Sequence, residues 1–177
     1  MKKLWLLFIL VFAFGCDDGD LALEEIDFTS DAAVSACDLE AGVTLLFKID
    51  DTEALILEIP STLIVNTITE DEEPREGNLT NTSVNAYYRG FNTTVTSSYF
   101  CDQLPPVDVE VNLEYTANNG IVKVVTTAAA FDAVDPTIVT DYRHEITFEN
   151  IVFSNDAGES ITYEGIFDYG FIVTPAE

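Results

Sequence analysis

From residue 43 onward, apolar and polar positions alternate with a period of two, the signature of half-buried strands. Val43, Leu45, Phe47 and Ile49 fall on one face, with Thr44 and Lys48 opposite. After the turn-like Asp50-Asp51-Thr52, Leu55, Leu57 and Ile59 resume the alternation until Pro60 stops it, which predicts a hairpin over 43–59. Residues 84–91 read as another strand. Val107, Val109, Val111, Leu113 and Tyr115 alternate with Asp108, Glu110, Asn112 and Glu114, the most regular strand pattern in the chain. Pro105-Pro106 favours extended geometry leading into it. Asn118-Asn119-Gly120 tolerates positive φ, so residues 121–127 are expected to return as a hairpin partner.

Tyr142, His144, Ile146 and Phe148 share a face opposite Arg143, Glu145, Thr147 and Glu149. Past Asn150 the apolar phase slips to Ile151 and Phe153, which predicts a β-bulge. Residues 155–158 form a turn, and Ile161, Tyr163, Phe167, Tyr169, Phe171 and Val173 mark a long last strand, with Gly165 permitting a bend. Residues 21–28 are expected as a first strand, 31–36 as a short helix or turn, and the polar stretch 70–82 as a long loop. No long segment keeps a 3.6-residue period. The pattern predicts an all-β fold, an antiparallel β-sandwich, with a lipocalin-like β-barrel as the alternative, since both bury one face of every strand.

The N-terminus follows a different rule. Lys2 and Lys3 precede an unbroken apolar run over 4–14, shorter than the roughly 20 residues a spanning helix needs. It fits the apolar region of a secretory signal. Ala13-Phe14-Gly15-Cys16 resembles the lipobox of bacterial lipoproteins, with small residues three and one positions ahead of the cut and a cysteine after it. That resemblance implies removal of residues 1–15 as a signal peptide, acylation of Cys16, and a single β-domain over 21–177. One acyl chain holds weakly and two or more hold stably, at about 0.8 kcal/mol per buried methylene. Residues 16–20 would be the lipidated cysteine and an acidic spacer, with Asp17, Asp18 and Asp20. This acidic run resembles the export signal of surface lipoproteins in Bacteroidota, which implies an outer-membrane, lipid-anchored protein on the cell surface. Read as a solvated spacer alone, it leaves the domain facing the periplasm.

Charge narrows the partners. Seven Lys and Arg stand against 32 Asp and Glu, for a net charge of −25, and two of the cations, Lys2 and Lys3, lie in the signal. A nucleic-acid partner is excluded, since phosphate binding needs clustered cations. An anionic membrane surface would be repelled, leaving the lipid at Cys16 as the membrane contact. At 47% hydrophobic residues the chain has enough apolar surface to fold despite its charge.

With Cys16 assigned to lipid, Cys37 and Cys101 remain, and an exported compartment permits a disulfide between them. Closing that loop would contribute at most about 4 kcal/mol through loop-closure entropy. His144, the single histidine, is expected at the edge of the core rather than in a Cys–His pair. One histidine and a disulfide do not supply the three or four ligands of a zinc site, so no metal residue is assigned. No EF-hand loop occurs, and calcium could only be held by acids from separate loops, such as Asp132 with Asp135 or Asp156 with Glu159, pairs whose ordinary role is turn formation. Tyr87, Tyr88 and Tyr99 are the candidates for a glycan platform, though the sole tryptophan, Trp5, lies in the signal. Paired carboxylates for a hydrolase are statistically inevitable among 32 acids and identify no catalytic residue.

The segment 99–110, YFCDQLPPVDVE, together with the upstream cysteine and hairpin, is similar to uncharacterised lipoproteins of Flavobacteria and other Bacteroidota. That resemblance implies no activity, cofactor or site residue. The sequence therefore points to a non-catalytic, lipid-anchored envelope module that binds a protein or glycan partner or serves structurally. The alternatives are a periplasm-facing accessory of an envelope complex and, from another class, a hydrolase using acidic residues.

Overall fold

Pairing every apolar face against another produces one sheet. In the computed structural model, residues 31–70, 73–80 and 83–176 are described. They form strands β1 (Leu45–Asp50), β2 (Glu53–Glu58), β3 (Arg75–Asn78), β4 (Asn85–Phe91), β5 (Val111–Phe131), β6 (Val139–Ser154) and β7 (Ser160–Pro175), with one short helix, α1 (Ser98–Cys101). The order is β1-β2-β4-β5-β6-β7, all antiparallel, with β3 on β5. The protein is all-β, and the sheet curls into a half-barrel whose two limbs face each other across the core. The expected strand at 21–28, and the signal, lipidation site and spacer at 1–20, lie outside the described residues.

The first hairpin forms as its alternation predicts, closed by Asp51-Thr52 with Asp51 at φ 51°. It is buried on both faces, however. Leu46, Leu55 and Leu57 enter the main core with Tyr88, Val122, Phe148, Phe153 and Tyr169. Phe47, Ala54 and Ile56 enter a second cluster with Phe91 and Val95 on the outer side of the sheet. Helix α1 covers that outer side: Phe100 stacks on Phe47 at 4.5 Å between ring centroids, and Tyr99 meets Phe91 edge-on at 4.9 Å. Each such pair contributes about 0.5–1.5 kcal/mol beyond the area it buries. Cys101, the last helical residue, is joined to Cys37, which fixes α1 and the incoming chain to the outside of the hairpin.

Four expectations are corrected. Asn118-Asn119-Gly120 does not turn the chain: β5 runs straight through, and the positive-φ backbone is absorbed as register shifts against β6. Gly120 sits at φ +123°, and a Cβ there would lie 2.9 Å from Ile151 Cα. Partners on both edges hold β5 extended, with β6 along its length and β4 and β3 sharing the other edge. Residues 107–110 are not strand; Val109 N–H closes a turn onto the Pro106 carbonyl, and Val107 is fully exposed. The chain must first leave α1 and its disulfide before it can join β4. The stretch 70–82 contains β3, a strand whose inward-facing residues are Arg75 and Gly77 and which therefore carries no apolar alternation. Residues 31–36 form no helix; Ser35 exchanges both backbone hydrogen bonds with Phe47, at 2.8 and 2.9 Å.

The late strands follow the pattern. The predicted bulge falls at Asn150, where φ is 52° and the β6–β7 register shifts. The Asn150 side chain accepts a hydrogen bond from Gly165 N–H at 2.9 Å, so the bulge and the glycine bend oppose each other. Asn155 closes the β6–β7 turn, its side chain accepting from Ala157 and Glu159 N–H.

Candidate functional site

Two features stand out: a groove beside β7 and a buried polar chain. The groove lies between residues 31–39 and the 166–173 stretch of β7, and encloses about 800 Å³. Its walls are mainly apolar, with Lys48, Asp31 and Asp168 as charged members. β7 is the last strand in the sheet order. The two sides touch where Val34 packs on Gly170; with φ at +123° and a hypothetical Cβ 2.7 Å from Val34 Cγ2, that position requires glycine. Tyr169 reaches across the interior and donates from its hydroxyl to the Leu55 carbonyl at 3.2 Å, tying β7 to β2 without a ladder between them.

The polar chain is centred on His144. The inward stripe Tyr142, His144, Ile146, Phe148 is as predicted, but His144 sits in the interior, at 0% exposure, not at the core edge. Nδ1 lies 2.9 Å from Thr126 Oγ1 on β5, and Nε2 2.9 Å from Thr174 Oγ1 on β7. The Thr174 hydroxyl donates to Asn66 Oδ1 at 2.6 Å, so its oxygen must accept from His144 Nε2–H. With the proton on Nε2, Nδ1 of the neutral ring accepts from the Thr126 hydroxyl, whose oxygen in turn accepts from Arg75 Nη1 at 2.8 Å. The tautomer is assigned by this network as neutral Nε2–H. Burial, and then the Arg75 charge, push the His144 pKa down to about 4.

The network latches residues 66–69 and Arg75 onto the sheet. Asn66 donates to the Pro175 carbonyl at 2.8 Å, Thr69 N–H to the Thr126 carbonyl at 3.0 Å, and Arg75 to the Thr67 carbonyl. Among the described residues no buried side-chain nitrogen or oxygen lacks a partner. Both His144 nitrogens are committed to threonine hydroxyls, so the ring has no lone pair free to take a proton from a solute.

The remaining candidates are dispersed. Cys37 and Cys101 form the expected disulfide, with Cα atoms 5.2 Å apart across 64 residues of sequence. Asp132 accepts from Val134 and Asp135 N–H, and those amides, Asp135's first, lower its pKa. Asp135 accepts from the Thr137 hydroxyl and N–H, which lower its own. Glu159 accepts from Asn155 and from Tyr115, so the loop acids serve their own turns. Among the described residues no group of three or more His, Cys, Asp or Glu could hold a metal ion.

Tyr88 is buried, Tyr87 has Arg89 over its ring at 5.3 Å, and Tyr99 is packed in the second cluster, so the three present no common platform. Three surface cations are held by neighbouring acids. Arg89 pairs with Glu114 at 2.6 Å, Arg143 pairs with Glu145 while lying over Phe171, and Lys123 bridges Glu76 and Glu149. Sequence reasoning missed Thr126 and Thr174 as partners of His144, and Arg75 and Asn66 as the groups that bond those threonines. Their only local signal is the single arginine within an otherwise acidic and polar stretch. Comparison of the chain with protein-family models, curated proteins and solved structures finds no match.

Proposed function

We propose that this protein is a non-catalytic lipoprotein of the cell envelope, held in the outer membrane by acyl chains on Cys16 and displayed at the cell surface as a β-module for a partner or for the envelope itself. The observation that carries the reading is the Cys37–Cys101 disulfide. A stable disulfide belongs to an oxidising, extracytoplasmic compartment. It also accounts for two of the three cysteines, which leaves Cys16 as the thiol to be modified, directly behind an apolar run too short to span. Among the described residues no helix is long and apolar enough to cross a membrane. A non-catalytic role is supported by the occupied lone pairs of His144 and by the dispersal of the loop acids into separate turns.

Metabolic labelling with palmitate tests the anchor: label should enter the native protein and be lost in Cys16→Ser. Protease treatment of intact cells tests display. Rapid digestion of the native protein supports the cell-surface assignment; resistance until the outer membrane is permeabilised supports the periplasm-facing alternative.

A further inference from the structure

Helix α1 belongs to a lid, residues 96–108, that leaves the outer cluster after Val95 and returns at Glu110. Asn92 clamps the two limbs together. Its N–H donates to the Glu110 carbonyl at 3.0 Å, its side-chain amide donates to the Asp108 carbonyl at 3.2 Å, and its side-chain oxygen accepts from Glu110 N–H at 2.9 Å. The outgoing limb is pinned where Val95 N–H donates to the Asp51 carbonyl and the Thr94 hydroxyl to the Asp51 carboxylate. Between these pins, the hydrogen bonds of residues 96–107 among the described residues end within 96–109, as where Phe100 and Cys101 N–H donate to the Ser97 carbonyl. Two attachments bind the lid's underside to the sheet: the half-buried rings of Tyr99 and Phe100 on Phe91 and Phe47, and the bond from Cys101 to Cys37.

The Cys37 end of that bond is a fixed post. Ser35 before it exchanges both backbone hydrogen bonds with Phe47, and Gly42 after it donates to the Ile64 carbonyl at 2.6 Å. The Cys101 end sits on a helix of four residues, and helices under about 12–15 residues are marginal on their own in water. Both cysteines are exposed, so a thiol in solution can reach the cystine, and exposed disulfides are the labile ones. No residue of 96–108 belongs to the main core, so the lid can leave without opening it.

We propose that the Cys37–Cys101 cystine is a redox clasp: a dithiol reductant opens it, and the lid 96–108 then swings off the outer face of β1, β2 and β4 about hinges at Val95 and the Asn92–Glu110 clamp, baring Phe47, Ile56 and Phe91. A thiolate of the dithiol attacks one cystine sulfur and displaces the other, which leaves as a thiolate and takes up a proton. The second thiolate of the reductant then displaces the remaining cysteine, which is protonated in turn, and closes the reductant's own disulfide. The cystine gains two electrons and two protons, and the dithiol loses them. An oxidising compartment holds the clasp shut, so opening reports the arrival of a dithiol.

The test uses the full native chain without denaturant. Millimolar dithiothreitol followed by iodoacetamide should alkylate Cys37 and Cys101 within minutes. Hydrogen exchange at Phe100, Cys101 and Asp102 should quicken by about tenfold or more, while the β5 and β6 amides stay protected. An apolar fluorescent dye should gain emission in the same sample, and reoxidation should reverse both changes. Cys37→Ser combined with Cys101→Ser should exchange fast at these positions without reductant and show no response to it. Alkylation only after urea unfolds the protein, unchanged exchange at 100–102 after reduction, or loss of β5 protection together with that of α1 overturns the proposal.

Discussion

Because His144 is the chain's only histidine, its burial can be isolated as a pH effect. In the unfolded chain its pKa is 6.5; in the fold it is about 4. Below 6.5 the unfolded state takes up a proton that the folded state refuses. The neutral ring therefore contributes stability that is complete above pH 6.5 and is lost as the pH falls towards 4. The slope is at most about 1.4 kcal/mol per pH unit, and the loss between about pH 7.5 and about pH 4.5 is on the order of 2.5 kcal/mol. Carboxylates titrate over part of the same range, so the measurement is a difference. Urea unfolding of the protein and of His144→Gln is followed across that range in high salt. The variant is less stable at neutral pH, because it disturbs the bonds to Thr126 and Thr174, and the gap between the two proteins should narrow by roughly 2–3 kcal/mol on acidification. A gap that stays constant with pH would refute the neutral, buried ring and the hydrogen-bond directions assigned to it.

Other consequences follow from the same contacts. Cys37→Ser with Cys101→Ser should lower unfolding free energy by up to about 4 kcal/mol in urea titration, and reduction of the native protein should add the mass of two hydrogens. Phe100→Ala removes the ring stacked on Phe47 and should cost about 2–3 kcal/mol in the same titration, with a loss of near-ultraviolet dichroism. Gly170→Ala should cost more than about 1 kcal/mol, and adding Val34→Ala should restore only part of it, since the clash is relieved but the positive φ is not. Millimolar calcium should leave the thermal midpoint within about a degree, because the carboxylates of Asp132, Asp135 and Glu159 are engaged in their own turns.

The sheet was legible wherever one local rule decided the outcome. Asp51-Thr52 between two apolar runs made a hairpin, and the phase slip at Asn150 made a bulge, because side-chain period and turn chemistry act within a few residues. Where distant partners decided, local reading failed. Asn118-Asn119-Gly120 has the chemistry of a turn, yet strands on both edges kept β5 extended through it. Val107 and Val109 alternate like a strand, but the path out of α1 and the Cys101 disulfide places them in a turn. Leu46 and Phe47 both being buried depends on a helix some fifty residues later covering one face, which no window over the hairpin contains. The stripe bearing His144 was visible, but Arg75, Thr126 and Thr174 reach the histidine network from separate strands, and Thr126 and Thr174 lie 18 and 30 residues from it in sequence.

The account rests most heavily on what happens at position sixteen. Intact-mass and peptide analysis of the protein isolated from its own membrane decides it. The expected product begins at Cys16, carries more than one acyl chain there, and has Cys37 bonded to Cys101. A polypeptide still bearing residues 1–15, or one with an unmodified Cys16 thiol, would contradict the anchor and with it the assignment to the cell surface.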